Sequence, residues 1–207
     1  MTKIIAFLNG KGGVGKTTAA VNVATAIARK GYSVAVVDTD PQQSISNWYE
    51  ESKCQFDLTE AASEKEVYQV RKALKSYDYV IIDGAAAISA ISAAAVMVSD
   101  LVLIPVTPSP LDFAACSAIL AVLEARQDLQ PVVARFFITR KVQKARMLSV
   151  LKASIADTGV PALRTGMAQR QSYVRVMLDG STVFDTDDGA AKGEIEVLTN
   201  EILELLV

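Results

Sequence analysis

Residues 10–17 read Gly-Lys-Gly-Gly-Val-Gly-Lys-Thr, between an apolar run at residues 3–8 and a helical pattern that opens at Thr17. This is the G-x-x-x-x-G-K-[ST] spacing of a loop that wraps phosphate oxygens, in the strand-before, helix-after context such a loop needs. The residue types follow from the chemistry. Gly12, Gly13 and Gly15 carry no Cβ, so consecutive backbone N–H groups around Val14 converge on an anion. The helix opening at Thr17 adds its positive dipole end. Lys16 is placed to reach the β- and γ-phosphates, and the Thr17 hydroxyl is a candidate magnesium ligand. A further lysine, Lys11, brings a second cation toward a terminal phosphate, where phosphoryl transfer develops charge. Its plainer reading is a solvated side chain at the loop edge.

The rest of the chain alternates apolar runs with helical patterns. Strands are expected at residues 3–8, 33–37, 79–82, 101–106 and 131–138. Helices are expected at 17–30, 64–76, 88–98, 111–127, 142–157 and 189–206, with Gly31 closing the first of them. Strands that are apolar on both faces argue for a mostly parallel sheet covered by helices on each side, an α/β fold in a single domain over residues 1–207. Ligands of such sheets sit at the carboxyl ends of the strands. Asp38, Asp40 and Asp83 fall there, where hard oxygen ligands for magnesium belong. Asp38-Thr39-Asp40-Pro41 is also good turn chemistry, and the two readings stand side by side.

Composition removes other chemistries. There is no histidine and only two cysteines, Cys54 and Cys116, which excludes zinc sites, histidine-based triads and a disulfide scaffold. No apolar stretch reaches the roughly 18 residues of a membrane span, and the N-terminus lacks a signal-peptide pattern, so a cytoplasmic protein is expected. The net charge of −2 is unevenly spread. Residues 135–175 hold nine Lys/Arg against one acid, Asp157, and residues 176–207 hold eight acids against Lys192. A concentrated basic segment reads as a solvated face or as a partner surface for phosphates.

Lys11 to Thr18 resembles the deviant Walker A motif of the ParA/MinD family of ATPases. Val36-Val37-Asp38-Thr39-Asp40-Pro41-Gln42 is similar to its second motif, and Val80-Ile81-Ile82-Asp83 to its Walker B strand. The short length, the segment Pro105 to Asp112 and Ile138-Thr139-Arg140 resemble in particular the small plasmid-partition ATPases of the ParF type. The resemblance implies a P-loop NTPase fold and hydrolysis of ATP with Mg²⁺. It implies that Lys11 acts across a nucleotide-sandwich homodimer and that Asp40 orients the attacking water. Asp38 would support magnesium, Asp83 would hold a magnesium-bound water, and Thr18 would contact the α-phosphate. Thr107, Pro108, Thr139 and Arg140 would lie against the nucleoside. One departure stands out: Asp83 is followed by Gly84-Ala85-Ala86-Ala87, where the family continues with Thr-Pro-Pro or similar.

The resemblance further implies a DNA-partition motor. Mg-ATP would drive dimerisation, with non-specific DNA binding or polymerisation, and a centromere-binding partner would stimulate hydrolysis. The alternative is a positioning ATPase for another cargo, such as a microcompartment, or a nucleotide-switched scaffold. Arg170 and Arg175 are the expected DNA contacts, giving nucleoid association, with DNA affinity that falls steeply with salt. The C-terminal pattern is amphipathic but acidic, so an anionic bilayer would repel it and no membrane partner is expected.

Overall fold

The computed structural model describes residues 1–40, 44–49, 54–127, 129–142 and 146–207. In chain order the elements are β1 (Lys3–Phe7), α1 (Lys16–Arg29), β2 (Val34–Asp38), α2 (Ser44–Tyr49), β3 (Asp57–Glu60), α3 (Glu64–Ala73), β4 (Tyr79–Asp83) and α4 (Ala90–Val98). There follow β5 (Leu101–Val106), α5 (Pro110–Ala114), α6 (Ser117–Gln127), β6 (Val133–Ile138), α7 (Arg146–Asp157), α8 (Gln171–Arg175), a 3-10 turn at Val183–Asp185 and α9 (Gly189–Glu204). The six strands form one sheet in the order β3-β2-β4-β1-β5-β6, and every pairing is parallel.

Alternation along the strands builds two cores. Ile5, Phe7, Val36, Ile81 and Leu103 face one layer, which contains α1 and α9. Ile4, Ala6, Val37, Ile82 and Ile104 face the other, which contains α3, α4, α6 and α7. Both faces of the central strands are therefore buried, which is why they read as unbroken apolar runs. The apolar face of α9 is also spent: Ala191, Ile195, Leu198 and Ile202 are buried in the first layer. Among the described residues no helix is long and apolar enough to cross a membrane.

The expected architecture holds, and the differences lie at its margins. The sequence pattern shows no strand at Asp57–Glu60, whose residues are mostly exposed because β3 is the sheet edge. Helices α2 and α8 are too short for a periodic signal. The helix expected at 111–127 is two. Ser109 caps α5, with Pro110 in its first turn, and the chain then breaks where the Cys116 amide turns back to Phe113 O (2.9 Å) and its thiol meets the Asn9 side-chain amide (3.4 Å). Gly31 ends α1 with φ +92°, as expected of its position.

Candidate nucleotide-binding site

Strand order decides what surrounds the phosphate loop. β1 lies between β4 and β5, with β2 beyond β4, so the loop leaving β1 is flanked by Asp83 and Asp38 on one side and by the ends of β5 and β6 on the other. The register pairs Phe7 with Asp83 and Asp38 with Asp83, which sets the carboxylates level with the loop entrance.

The loop is fixed by side chains at its base. Asn9 donates to Pro105 O (2.7 Å) and accepts from the Lys11 amide (2.9 Å). Thr139 donates to Val14 O (2.7 Å), and a Cβ on Gly15 would meet Thr139 at 3.6 Å. Gly13 and Gly15 adopt φ +75° and +91°, a region open to glycine at little cost. Gly15 is also the N-cap of α1 and supplies no side-chain cap, and the first turn holds no acid. The helix start therefore keeps its dipole and its amides for an anion.

Lys16 is buried, and its ammonium donates to Lys11 O (2.9 Å). Burial pulls its pKa down, against the pull of Asp83 and Asp40. The Thr17 hydroxyl donates to Asp83 Oδ2 (2.7 Å), while Asp83 Oδ1 is buried with no hydrogen-bond partner among the described residues. Burial raises the Asp83 carboxyl to about 7, the Thr17 hydrogen bond opposing it. Asp38 is spent locally: it accepts from the amides of Asp40 (2.9 Å) and Ile45 (3.2 Å), which is the turn role, and burial raises its pKa too. Of the two carboxylates, the one with an oxygen to spare is Asp83.

A cavity of about 710 Å³ opens above these groups, lined by Gly12, Gly13, Gly15, Lys16, Thr17 and Thr18 and by Asp40. Thr139 and Arg140 join the lining; Arg140 holds φ +48°, unusual for a side chain other than glycine. Val14 is buried in the core, so it offers only its backbone. Lys11 is exposed and Thr107 and Pro108 stand outside the lining, with the Thr107 hydroxyl held by Asp112 Oδ2 at 2.5 Å. Pro41 and Gln42 lie outside the described residues.

The far wall carries no motif. It comes from residues 167–170 and from Tyr173, Val174, Met177 and Leu178. The signal that could have found it is topological, since this stretch follows the last strand and must pass its carboxyl end. Arg170 belongs to this wall. Its guanidinium donates to Glu194 (2.6 Å) and lies 3.7 Å from Asp188, so the structure engages it inside the chain rather than leaving it bare for DNA. Arg175 is exposed and pairs with Asp179 (3.3 Å). The departure after Asp83 has a steric reason in part. A Cβ on Gly84 would lie 2.5 Å from Leu8 Cδ2 and 2.9 Å from Phe7 O, and Ala86 packs over Gly12.

Residues 5–183 match the model of the CobQ/CobB/MinD/ParA nucleotide binding domain. The chain belongs to this family. It is a ParA/MinD-type ATPase. It is 28% identical over 207 residues to the maintenance of carboxysome distribution protein A (McdA) of Halothiobacillus neapolitanus, covering 96% of this chain and 95% of that protein. It is 28% identical over 178 residues to Protein ParA of Rhizobium radiobacter, covering 82% of this chain and 80% of that one. The fold of apo McdA from Cyanothece superposes with a TM-score of 0.82 at 14% identity, over 98% of this chain and 100% of that one. The ParA/MinD ATPase family is the level at which the assignment stands; the relatives matched along most of the chain include both carboxysome-distribution proteins and plasmid-partitioning ParA proteins, and none of them is specifically of the ParF type.

Proposed function

We propose that this ATPase positions a cargo inside the cell by an ATP-driven dimerisation cycle on DNA, and that the cargo is a protein microcompartment rather than a plasmid. The similarity to McdA along nearly all of both chains supports the cargo. The site supports the cycle. Its carrying observation is the convergence of the phosphate loop, Asp40 and Thr17 on one cavity, with the buried Asp83 bonded behind Thr17.

The residues fit a magnesium nucleotide. Asp83 Oδ1 is a buried carboxylate oxygen without a partner, beside a threonine hydroxyl, and hard oxygens are what magnesium takes. Magnesium supplies neutralisation of phosphate charge when bound; Thr17 would hold it directly, and Asp83, with Asp38 behind it, would hold its water. Lys16 leaves Lys11 O for the β- and γ-phosphates, while the loop amides and Thr18 hold the rest of the chain of phosphates. Asp40 faces the cavity and orients the attacking water. Lys11, exposed at the loop rim, reaches the phosphates of a second protomer. Cleavage of the γ-phosphoryl group removes what both protomers hold, and the dimer parts. A partner protein on the cargo speeds that step.

DNA is held by cations the fold leaves available. Arg164 and Arg170 are paired with glutamates of α9, whereas Lys141, Arg146 and Lys152 around the start of α7 form no ion pair among the described residues. Lys144, between them in sequence, lies outside the described residues. Arg175, the exposed last residue of α8, is paired with Asp179 and is set apart from them.

Mass measurement by light scattering, with Mg²⁺ and either ADP or a non-hydrolysed ATP analogue, tests the cycle. The analogue should double the mass of the wild type but not of Lys11→Ala, and should confer DNA retention. Equal masses with the two nucleotides would rule the cycle out. Deletion of the gene separates the cargoes: microcompartments that clump with plasmids stably inherited support this reading, and the reverse result overturns it.

A further inference from the structure

We infer that Glu194, on the C-terminal helix α9, is a positioning residue for the nucleoside. The inference rests on the assignment of the 710 Å³ cavity to a nucleotide and extends it to a helix that contributes nothing to its lining. One carboxylate gathers three groups of the motif-free wall. Glu194 Oε1 accepts from Arg170 Nη2 (2.6 Å) and Nε (3.2 Å). Its Oε2 accepts from the Ala168 amide (3.1 Å) and the Tyr173 hydroxyl (3.1 Å). Ala168, Arg170 and Tyr173 all line the cavity, and Glu194 does not.

These contacts fix both parts of the wall. The Ala168 amide sets the backbone before Arg170, and Tyr173 sits in α8, a helix of five residues that has no side-chain cap to hold its start. Arg170 is fixed as a planar fork on Glu194, with Asp188, the N-cap of α9, beside it. Asp188 also accepts from the Ser172 hydroxyl (2.8 Å), so the start and middle of α9 grip the same wall. The groups assigned to the phosphates come from other elements: the loop after β1, the start of α1, and the ends of β2 and β4. Loss of Glu194 should therefore loosen the grip on the nucleoside and leave the phosphate chemistry intact.

Glu201 provides the control. It accepts from the amides of Arg164 (2.7 Å) and Thr165 (2.9 Å), an equivalent clasp between α9 and the same chain segment, at residues that do not line the cavity. A purely structural role for Glu194 would make the two glutamates interchangeable.

Calorimetric titration with Mg-ADP, together with steady-state kcat and KM for ATP, tests this on the full chain. Glu194→Ala should raise the Kd for Mg-ADP and the KM for ATP about tenfold, with kcat kept within about twofold, since a charged hydrogen-bonded clasp is lost. Glu194→Gln keeps one acceptor oxygen for the Ala168 amide and the Tyr173 hydroxyl but turns a non-accepting NH2 toward Arg170, and should weaken binding about threefold. Glu201→Ala should lower the melting temperature and leave Kd at the wild-type value. Wild-type affinity in Glu194→Gln, a fall in kcat without a rise in KM, or an equal loss of affinity in Glu201→Ala would each overturn the proposal. A wild-type chain that binds no Mg-ADP, or a Lys16→Ala chain that binds it as tightly, would instead remove the cavity assignment beneath it.

Discussion

Asp83 shows what the site costs the nucleotide-free protein. Its carboxyl is fully buried, one oxygen bonded to Thr17 and the other to nothing among the described residues, and its pKa is raised to about 7. A raised carboxyl binds its proton more tightly in the folded chain than in the unfolded one, where it titrates near 4. Its contribution to stability is therefore greatest in acid, falls as pH rises past 4, and is lost above 7. Asp83→Asn keeps an acceptor for Thr17 and has no charge to bury. The nucleotide-free variant should melt several degrees above the wild type at pH 8, with the gap closing toward pH 4, a difference of a few kcal/mol at most. It should also lose magnesium-dependent ATP hydrolysis. A wild type as stable as Asp83→Asn at pH 8 would show that the burial is not costly. The phosphate loop and this aspartate are legible in sequence because their chemistry needs fixed residue types at fixed spacing. Glu194 is not, because its role depends on side chains 24 and 21 positions away in sequence meeting it in space. Arg170 was legible as a cation and illegible as a paired one for the same reason.

At the scale of elements, the pattern reveals the buried core strands and the long helices and passes over the margins. β3 and α8 lack the apolar periodicity that burial on both faces or along a stripe would impose, and the α5–α6 break depends on Cys116 meeting Asn9. The segment after α7 is the most informative of these margins. Residues 162 and 168 form isolated parallel bridges to Phe136 and Lys141, continuing the sheet past β6 without regular pairing. Gly166 makes that approach possible. A Cβ there would lie 2.4 Å from Ile138 O and 3.3 Å from its carbonyl carbon, both backbone atoms that a rotamer change cannot move. Gly166→Ala should therefore push the segment off β6 and lower stability by about 2–3 kcal/mol, the range of overpacked sites. Denaturant unfolding would show it as a lower midpoint. Gly159, open to solvent but at φ +75°, offers a comparison: its alanine variant strains only its own backbone and should cost about 1 kcal/mol. Equal costs at both positions would mean that the contact with Ile138 is not what fixes the segment.

Across the whole molecule, the two charged segments of the sequence fold onto each other. The basic stretch reads as a surface for phosphates, but Arg164 meets Glu201 and Glu204, Arg170 meets Glu194 and Asp188, and Arg175 meets Asp179, all acids of the closing acidic stretch. Linear charge density thus overstates the positive surface; within the basic stretch Lys141, before α7, and Arg146 and Lys152, on it, form no ion pair among the described residues. Each phosphate neutralised by a lysine or arginine lowers the slope of log affinity against log salt by about 0.9, so the slope counts contacts. With a saturating non-hydrolysed ATP analogue to hold every variant in one nucleotide state, Lys141→Ala/Lys152→Ala should bind duplex DNA more weakly, irrespective of sequence. Its salt dependence should be shallower by up to about 2. Arg170→Ala should keep the wild-type slope once the nucleotide is saturating, because its charge is already spent on Glu194, and should show its defect only at low nucleotide concentration. A wild-type slope in the lysine pair together with a shallower one in Arg170→Ala would put the DNA on the nucleotide face instead. It would also mean that the Arg170–Glu194 pair opens when DNA binds.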